Sequence, residues 1–196
     1  MSVPQHELLA LQLAHLKDLQ DNLQEVEQEI RSDFMQFAGP LLLVDSIPGI
    51  DLRVDYAILA EIGRDISAFP TAQHICPWAG LAPGNYQSAG KNKQQRATQG
   101  NKYLKTILCE VAWTIASYRK LYLSGWYWRL KQCTGSKRAI VALARKLLVI
   151  IYTMLKTNSP YDEQKFLERK TASEQKRFKR MVNELTRLGY AVSMSA

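Results

Sequence analysis

Cysteine is scarce in this chain: three thiols, Cys76, Cys109 and Cys133, stand far apart in 196 residues and show no C-x-x-C spacing. An odd and scattered set supports neither a disulfide framework nor a zinc site, so the thiols read as reduced and intracellular. No signal-peptide pattern opens the chain, since MSVPQHELLALQLAHLKDLQ is interrupted by polar residues from its start. Long apolar runs are also missing. The most apolar stretch, AIVALARKLLVIIYTML from Ala139 to Leu155, is broken by Arg145 and Lys146 and is too short for a comfortable span. A cytoplasmic protein with no membrane partner is expected.

The most informative lack is of acid. Residues 84–158 hold fourteen Lys/Arg and a single carboxylate, Glu110, whereas residues 1–83 hold four Lys/Arg against twelve Asp/Glu. The net charge of +8 therefore hides an acidic first part and a strongly basic middle. A segment so positive repels itself unless it meets a polyanion, and nucleic acid is the commonest one in a cell. With 46% hydrophobic residues the chain is not disordered, and its length allows one sizeable core plus an extension.

What is present is helical in period. Leu9, Leu16, Leu19, Leu23, Val26, Ile30 and Phe37 fall on alternating steps of three and four with Gln12 and Asp33 as the polar interruptions, a heptad seam with an acidic outer face. This predicts a coiled-coil helix over residues 1–38 that pairs chains into a homodimer or higher homo-oligomer; packing on its own domain is the other reading. Gly39-Pro40 is expected to end that helix. LLLVDSIPGIDLRVDYAILAEIG then reads as two short helices around a Pro48-Gly49 turn, resembling a helix-hairpin-helix whose turn amides face a phosphate. Asp51 stands where that motif has a further glycine, and a plain packing turn is the alternative. Leu104 to Tyr122 carries one core-facing helical pattern, and KRAIVALARKLLVIIYTMLK is apolar nearly all round, as a central helix is. A last basic helix is expected from about Thr171 to Leu188. No alternating strand is evident. The fold class is mainly α: a coiled-coil helix (1–38), a compact helical domain with a basic loop (39–160) and a C-terminal basic helix (161–196).

Inside the basic middle lies PGNYQSAGKNKQQRATQGNKYL, where Ser88 is followed by Lys91, Lys93 and Arg96 and by no acid. A serine hydroxyl is a poor nucleophile, and a phosphodiester repels an attacking oxygen. Cations set against the non-bridging oxygens lower both obstacles. The loop is thus suited to a serine that attacks DNA, although a serine in a polar loop is more often an ordinary solvated residue. Lys102, Lys105 and Asn101 are candidates for contacts to a nucleic-acid backbone. Tyr86 lacks the arginine-histidine-arginine set of a tyrosine recombinase and is assigned to stacking on bases. GWYWRLKQ, with Trp126, Tyr127 and Trp128, offers either a stacking platform or core anchors. His74 reads as a surface or packing residue. Asp45, Asp51, Asp55, Glu61 and Asp65 are explained by caps and exposed helix faces, so no complete magnesium site is expected.

The order IPGI, AILAEIGRDISAFPTAQHICPWAGLAPGNYQSAGK, GNKYLKTILCEVAW and KRAIVALARKLLVIIYTMLK resembles the C-terminal transposase domain of the insertion sequence 110 family, the bridge-RNA-guided DNA recombinases. The likeness covers about residues 40 to 165. It implies a serine nucleophile, at Ser88 of QSAGK, which forms a phosphoserine link to DNA. It also implies DNA and a guide (bridge) RNA as partners, and a coiled coil ahead of the domain. The family's resolvase-like domain, whose four acids bind Mg2+, has no counterpart in these residues, so magnesium is expected from a separate domain. Where the family has leucine-arginine after the glycine-asparagine pair, this chain has Leu104-Lys105, which keeps the charge and loses the forked donor. A non-enzymatic, dimerising nucleic-acid-binding module is the rival reading, and an inert fragment a third.

Overall fold

The structure is a computed structural model and describes residues 3–63, 65–84, 87–88, 91–92 and 99–188. It is mainly α. α1 spans Val3–Phe34, α2 Ala38–Asp45, α3 Leu52–Ile62, α4 Ala72–Trp78, α5 Lys102–Ser117, α6 Tyr122–Thr134, α7 Ser136–Thr157 and α8 Glu163–Arg187. Single 3-10 turns sit at Met35–Phe37 and Ile66–Ala68. Two short strands, β1 (Gln87–Ser88) and β2 (Lys91–Asn92), pair antiparallel. This ladder was not legible from alternation, because two residues per strand are too few to show a period.

α7 is the centre of the bundle, as its all-round apolar sequence predicts. Leu143, Ala144, Leu147, Leu148 and Ile151 are fully buried, and the helix packs against α5, α6, α4 and α2. α5 offers it Leu104, Leu108, Ala112 and Ile115, and α3 adds Ile58 and Leu59 to the same core. Tyr152 ties α7 to the segment before α4: its hydroxyl lies 2.8 and 2.9 Å from the carbonyl oxygens of Phe69 and Pro70.

α1 stands apart from this core. Its apolar residues Leu9, Leu16, Leu19, Leu23 and Val26 remain about half exposed within the chain. Its last turns touch the body, where Glu27 pairs with Arg53 and the Phe34 ring lies 4.9 Å from that of Tyr56. Gly39-Pro40 does not end α1. The helix stops at Phe34, and Gly39 and Pro40 lie in the first turn of α2. There a proline costs nothing, because a first-turn amide has no intrahelical acceptor.

The Pro48-Gly49 turn joins α2 to α3 but is packed inward. Gly49 has φ +92°, and a Cβ there would meet Ile115 Cγ1 at 3.2 Å, so the turn sits against α5. Asp51 caps α3 by accepting from the Val54 amide at 2.9 Å, so the protein's own carboxylate takes an amide that a phosphate would need. This geometry is that of the packing turn. The pattern read as one helix from Leu104 to Tyr122 is two helices, broken at Tyr118 to Leu121, and the last helix begins at Glu163, eight residues earlier than expected. Asp162 starts it, accepting from the Gln164 amide at 3.0 Å.

Asp55 is buried rather than exposed, and both its carboxyl oxygens lack a hydrogen-bond partner among the described residues. Burial first, then the Asp45 and Asp51 carboxylates, push it up to about 7 from 3.8. The folded chain therefore keeps a proton that the unfolded chain releases at much lower pH. The stability this group contributes is complete below about pH 4 and is lost as pH rises through about 7. Asp55→Asn should match the parent only near pH 4, where both states of the parent hold the proton. At pH 8 it should be more stable by about 1–3 kcal/mol, a figure discounted for water around the flanking carboxylates. Urea unfolding at both pH values checks this; equal pH dependence in the two proteins would refute it.

Candidate serine loop and nucleic-acid interface

The loop that carries Ser88 leaves the bundle after α4 and returns at α5, and both ends meet. α4 ends at Trp78, and the chain turns through Gly80 (φ +67°) to the buried Leu81, whose amide donates to the Cys76 carbonyl at 2.9 Å. On the return, the Asn101 amide donates to the Trp78 carbonyl, also at 2.9 Å. Gly100 lies so close beneath Gly80 that a Cβ would stand 2.3 Å from the Gly80 nitrogen and 2.4 Å from the Trp78 oxygen. Two glycines are thus required where backbone crosses backbone.

Asn101 locks this stem. Its Oδ1 accepts from the Leu104 amide at 3.0 Å and caps α5, and its Nδ2 donates to Glu61 Oε2 on α3 at 2.5 Å. Both ends of the amide are used within the protein, so Asn101 acts here as a structural clamp. Glu61, read from sequence as part of an exposed face, is half-buried as its partner. Sequence reasoning missed Trp78, Gly80 and Glu61. The signal available was the glycine at each end of the loop, in AGLAPG and TQGN.

Beyond the stem, the β1–β2 ladder pairs Gln87 with Asn92 and Ser88 with Lys91 as Cα partners. Ser88 and the nearest loop cation are therefore opposite one another in register. Tyr86, Lys93 and Arg96 lie outside the described residues. Lys102 is exposed and Lys105 half-buried in the first turn of α5, next to the stem. Helix N-termini favour acids, yet α5 has no acid in its first turn and two lysines instead. An exposed Tyr103 stands between them in sequence, a residue the sequence reading did not single out.

The other candidates are placed as follows. His74 is on the surface, its Nδ1 2.8 Å from the Thr71 hydroxyl at the start of α4. Tyr127 is buried, and Trp128 donates its indole N–H to the Ala116 carbonyl at 3.1 Å. Arg119 and Lys131 lie 3.9 and 4.2 Å from the Trp128 ring centre. These aromatics anchor α6 to α5 and are partly covered by cations. Among the described residues no three of His, Cys, Asp and Glu are grouped so as to hold a metal ion. Nor is any described helix long and apolar enough to cross a membrane.

Residues 42–126, from α2 through the stem to the middle of α6, match the model of the Transposase IS116/IS110/IS902 family. The chain carries a transposase domain of that family. The pilin gene-inverting protein of Moraxella bovis is 33% identical over 124 residues, which is 62% of this chain and 38% of that protein. The transposase for insertion sequence element IS1111A of Coxiella burnetii is 30% identical over 122 residues, 60% of this chain and 33% of its own length. A putative transposase, y4qE, of Sinorhizobium fredii is 28% identical over 142 residues, covering 68% of this chain and 35% of that protein. The chain thus spans little more than a third of the length of these relatives. The matched transposase domain contains the whole loop stem, the Ser88 hairpin and α5.

Proposed function

We infer that this chain is the serine-bearing part of a DNA recombinase of the insertion sequence 110 type. The observation that supports it best is the closed stem, in which α4, α5 and α3 fix the two ends of a basic loop while β1 and β2 set Ser88 across from Lys91. In this reading the Ser88 hydroxyl oxygen bonds to a DNA phosphorus, the phosphorus–oxygen bond to the neighbouring nucleotide breaks, and the departing oxygen takes up a proton. The covalent phosphoserine conserves the phosphoryl group for later rejoining. Lys91, Lys93 and Arg96 neutralise the phosphate, and Lys102 and Lys105 hold the backbone beside it. Two relatives are named for DNA rearrangement, one as a gene-inverting protein and one as a transposase, which is the chemistry such an intermediate serves.

A guide RNA would select the target, and Mg2+ would be held by a separate resolvase-like domain. The test is a covalent protein–DNA adduct that depends on Ser88. An adduct that persists without the hydroxyl would leave the non-enzymatic binding module.

α1 supports self-association. Its stripe of Leu9, Leu16, Leu19, Leu23 and Val26 lies uncovered on a helix of 32 residues, long enough for a two-stranded coil. Leu16→Lys together with Leu23→Lys should convert an oligomer to monomer in sedimentation, with the helical bundle still folded. A parent chain that already sediments as a monomer would sink the pairing.

A further inference from the structure

Three helices of the basic segment open against the same local rule. None of α5, α6 and α7 has an acid in its first turn; α5 begins with Lys102 and Lys105, α6 follows Arg119 and Lys120, and α7 has Lys137 and Arg138 near its start. The α5 end belongs to the serine loop. At the α6 end the cations line a cleft.

That cleft, about 380 Å³, lies where α6 begins against α8 and is lined by Lys120, Gly125, Arg129, Glu163 and Lys170 among others. Its one carboxylate is engaged, since Glu163 accepts from the Tyr122 amide at 2.5 Å. Lys146 stands beside it, 4.6 Å from the Trp126 ring centre and 5.2 Å from that of Tyr122. Burial and the nearby Arg129 charge lower the Lys146 pKa, as expected for a cation held among cations. Among the described residues no carboxylate pairs with Lys120, Arg129 or Lys146, and Lys170 has only Glu174 at 3.9 Å. Like charges gathered around a concavity in this way need an anion to offset them.

We propose that this cleft binds adjacent backbone phosphates of duplex DNA, at a site separate from the serine loop. The assignment rests on the recombinase reading only in taking DNA as the partner. The cleft lies beyond the C-terminal end of α5 and the loop stem at its N-terminal end, about 22 Å away at 1.5 Å per residue. Lys120 and Arg129 are exposed at its rim, which suits a long polyanion rather than an enclosed small molecule. The neighbouring rings of Tyr122, Trp126 and Trp128 are already faced by Lys146, Arg119 and Lys131. That argues against unpaired RNA, whose bases need aromatic faces, and for a duplex held through its phosphates.

The experiment measures binding of the full chain to a 20-base-pair DNA duplex from about 50 to 200 mM salt by fluorescence anisotropy. Lys120→Gln with Arg129→Gln should make the slope of log affinity against log salt shallower by about 2. The pair Lys176→Gln and Arg180→Gln, exposed on α8 away from the cleft, should leave that slope nearly unchanged. At saturating DNA the cleft variant should still form the Ser88-dependent adduct if the recombinase reading holds. An unchanged slope, or an equal loss from the α8 pair, overturns the proposal. So does a loss seen with single-stranded RNA and not with the duplex, or a parent chain with no salt-dependent affinity. Loss of the adduct through Ser88→Ala leaves the cleft intact, so the two readings fail separately.

Discussion

Ser88→Ala is expected to abolish the covalent protein–DNA adduct while duplex affinity stays within about twofold. In the proposed reaction the hydroxyl supplies the attacking oxygen, whereas affinity comes from counterions released by lysine and arginine, which the substitution leaves in place. The assay supplies the resolvase-like domain, guide RNA and magnesium and reads adduct on a denaturing gel. Lys91→Ala should act differently. Lys91 is the Cα partner of Ser88 across the ladder, and losing one preorganised charge at a transition state typically costs about 10² to 10³ in rate. The adduct would therefore form slowly in that variant and not at all without the hydroxyl. Adduct in the alanine chain at parental yield would end the nucleophile assignment and leave nucleic-acid binding as the function.

Much of the architecture was legible in periodicity. α7 is apolar nearly all round in sequence and packs against four helices in the fold, because a helix with so little polar surface must be covered by its neighbours. Charge was equally readable: residues 84–158, with Glu110 their one acid, hold the serine loop, the α5 lysines, and Lys120 and Arg129 of the α6 cleft. What failed depended on contacts distant in sequence. Glu61 and Asn101 are 40 residues apart, and nothing local says that one amide spans α5 and α3. Asp55 looks in sequence like one more first-turn acid of α3, and only the tertiary fold buries it. Boundaries were missed for local reasons. Pro40 reads as a stop in sequence but fits the start of α2, and α8 begins at its Asp162 cap rather than where its apolar period becomes clear. The candidate site was half visible: Ser88 and its cations are written in the loop, but the clamp that holds the loop shut is a tertiary object.

That clamp gives the second large effect. Gly100→Ala places a Cβ 2.3 Å from the Gly80 nitrogen, 2.4 Å from the Trp78 oxygen and 2.8 Å from the Gly80 Cα. All three are backbone atoms, so no side chain can rotate away and one strand of the stem must move. Moving it breaks the Asn101 amide bond to the Trp78 carbonyl and strains the Asn101 link to Glu61. Overpacking of this kind costs about 1–3 kcal/mol, which in a domain of this size lowers Tm by roughly 2–12 °C. Gly39→Ala is the control, since a Cβ at Gly39 meets nothing within 4 Å in the first turn of α2, and it should leave Tm unchanged or slightly raised. Limited proteolysis should then cut the Gly100 variant between Leu81 and Gln99 faster than the parent. Adduct yield should fall as well, although Ser88 and its cations are untouched, because the stem no longer fixes where the loop begins. Equal Tm and equal cleavage in both glycine variants would show that the stem is loose and that the loop is positioned by something other than this crossing.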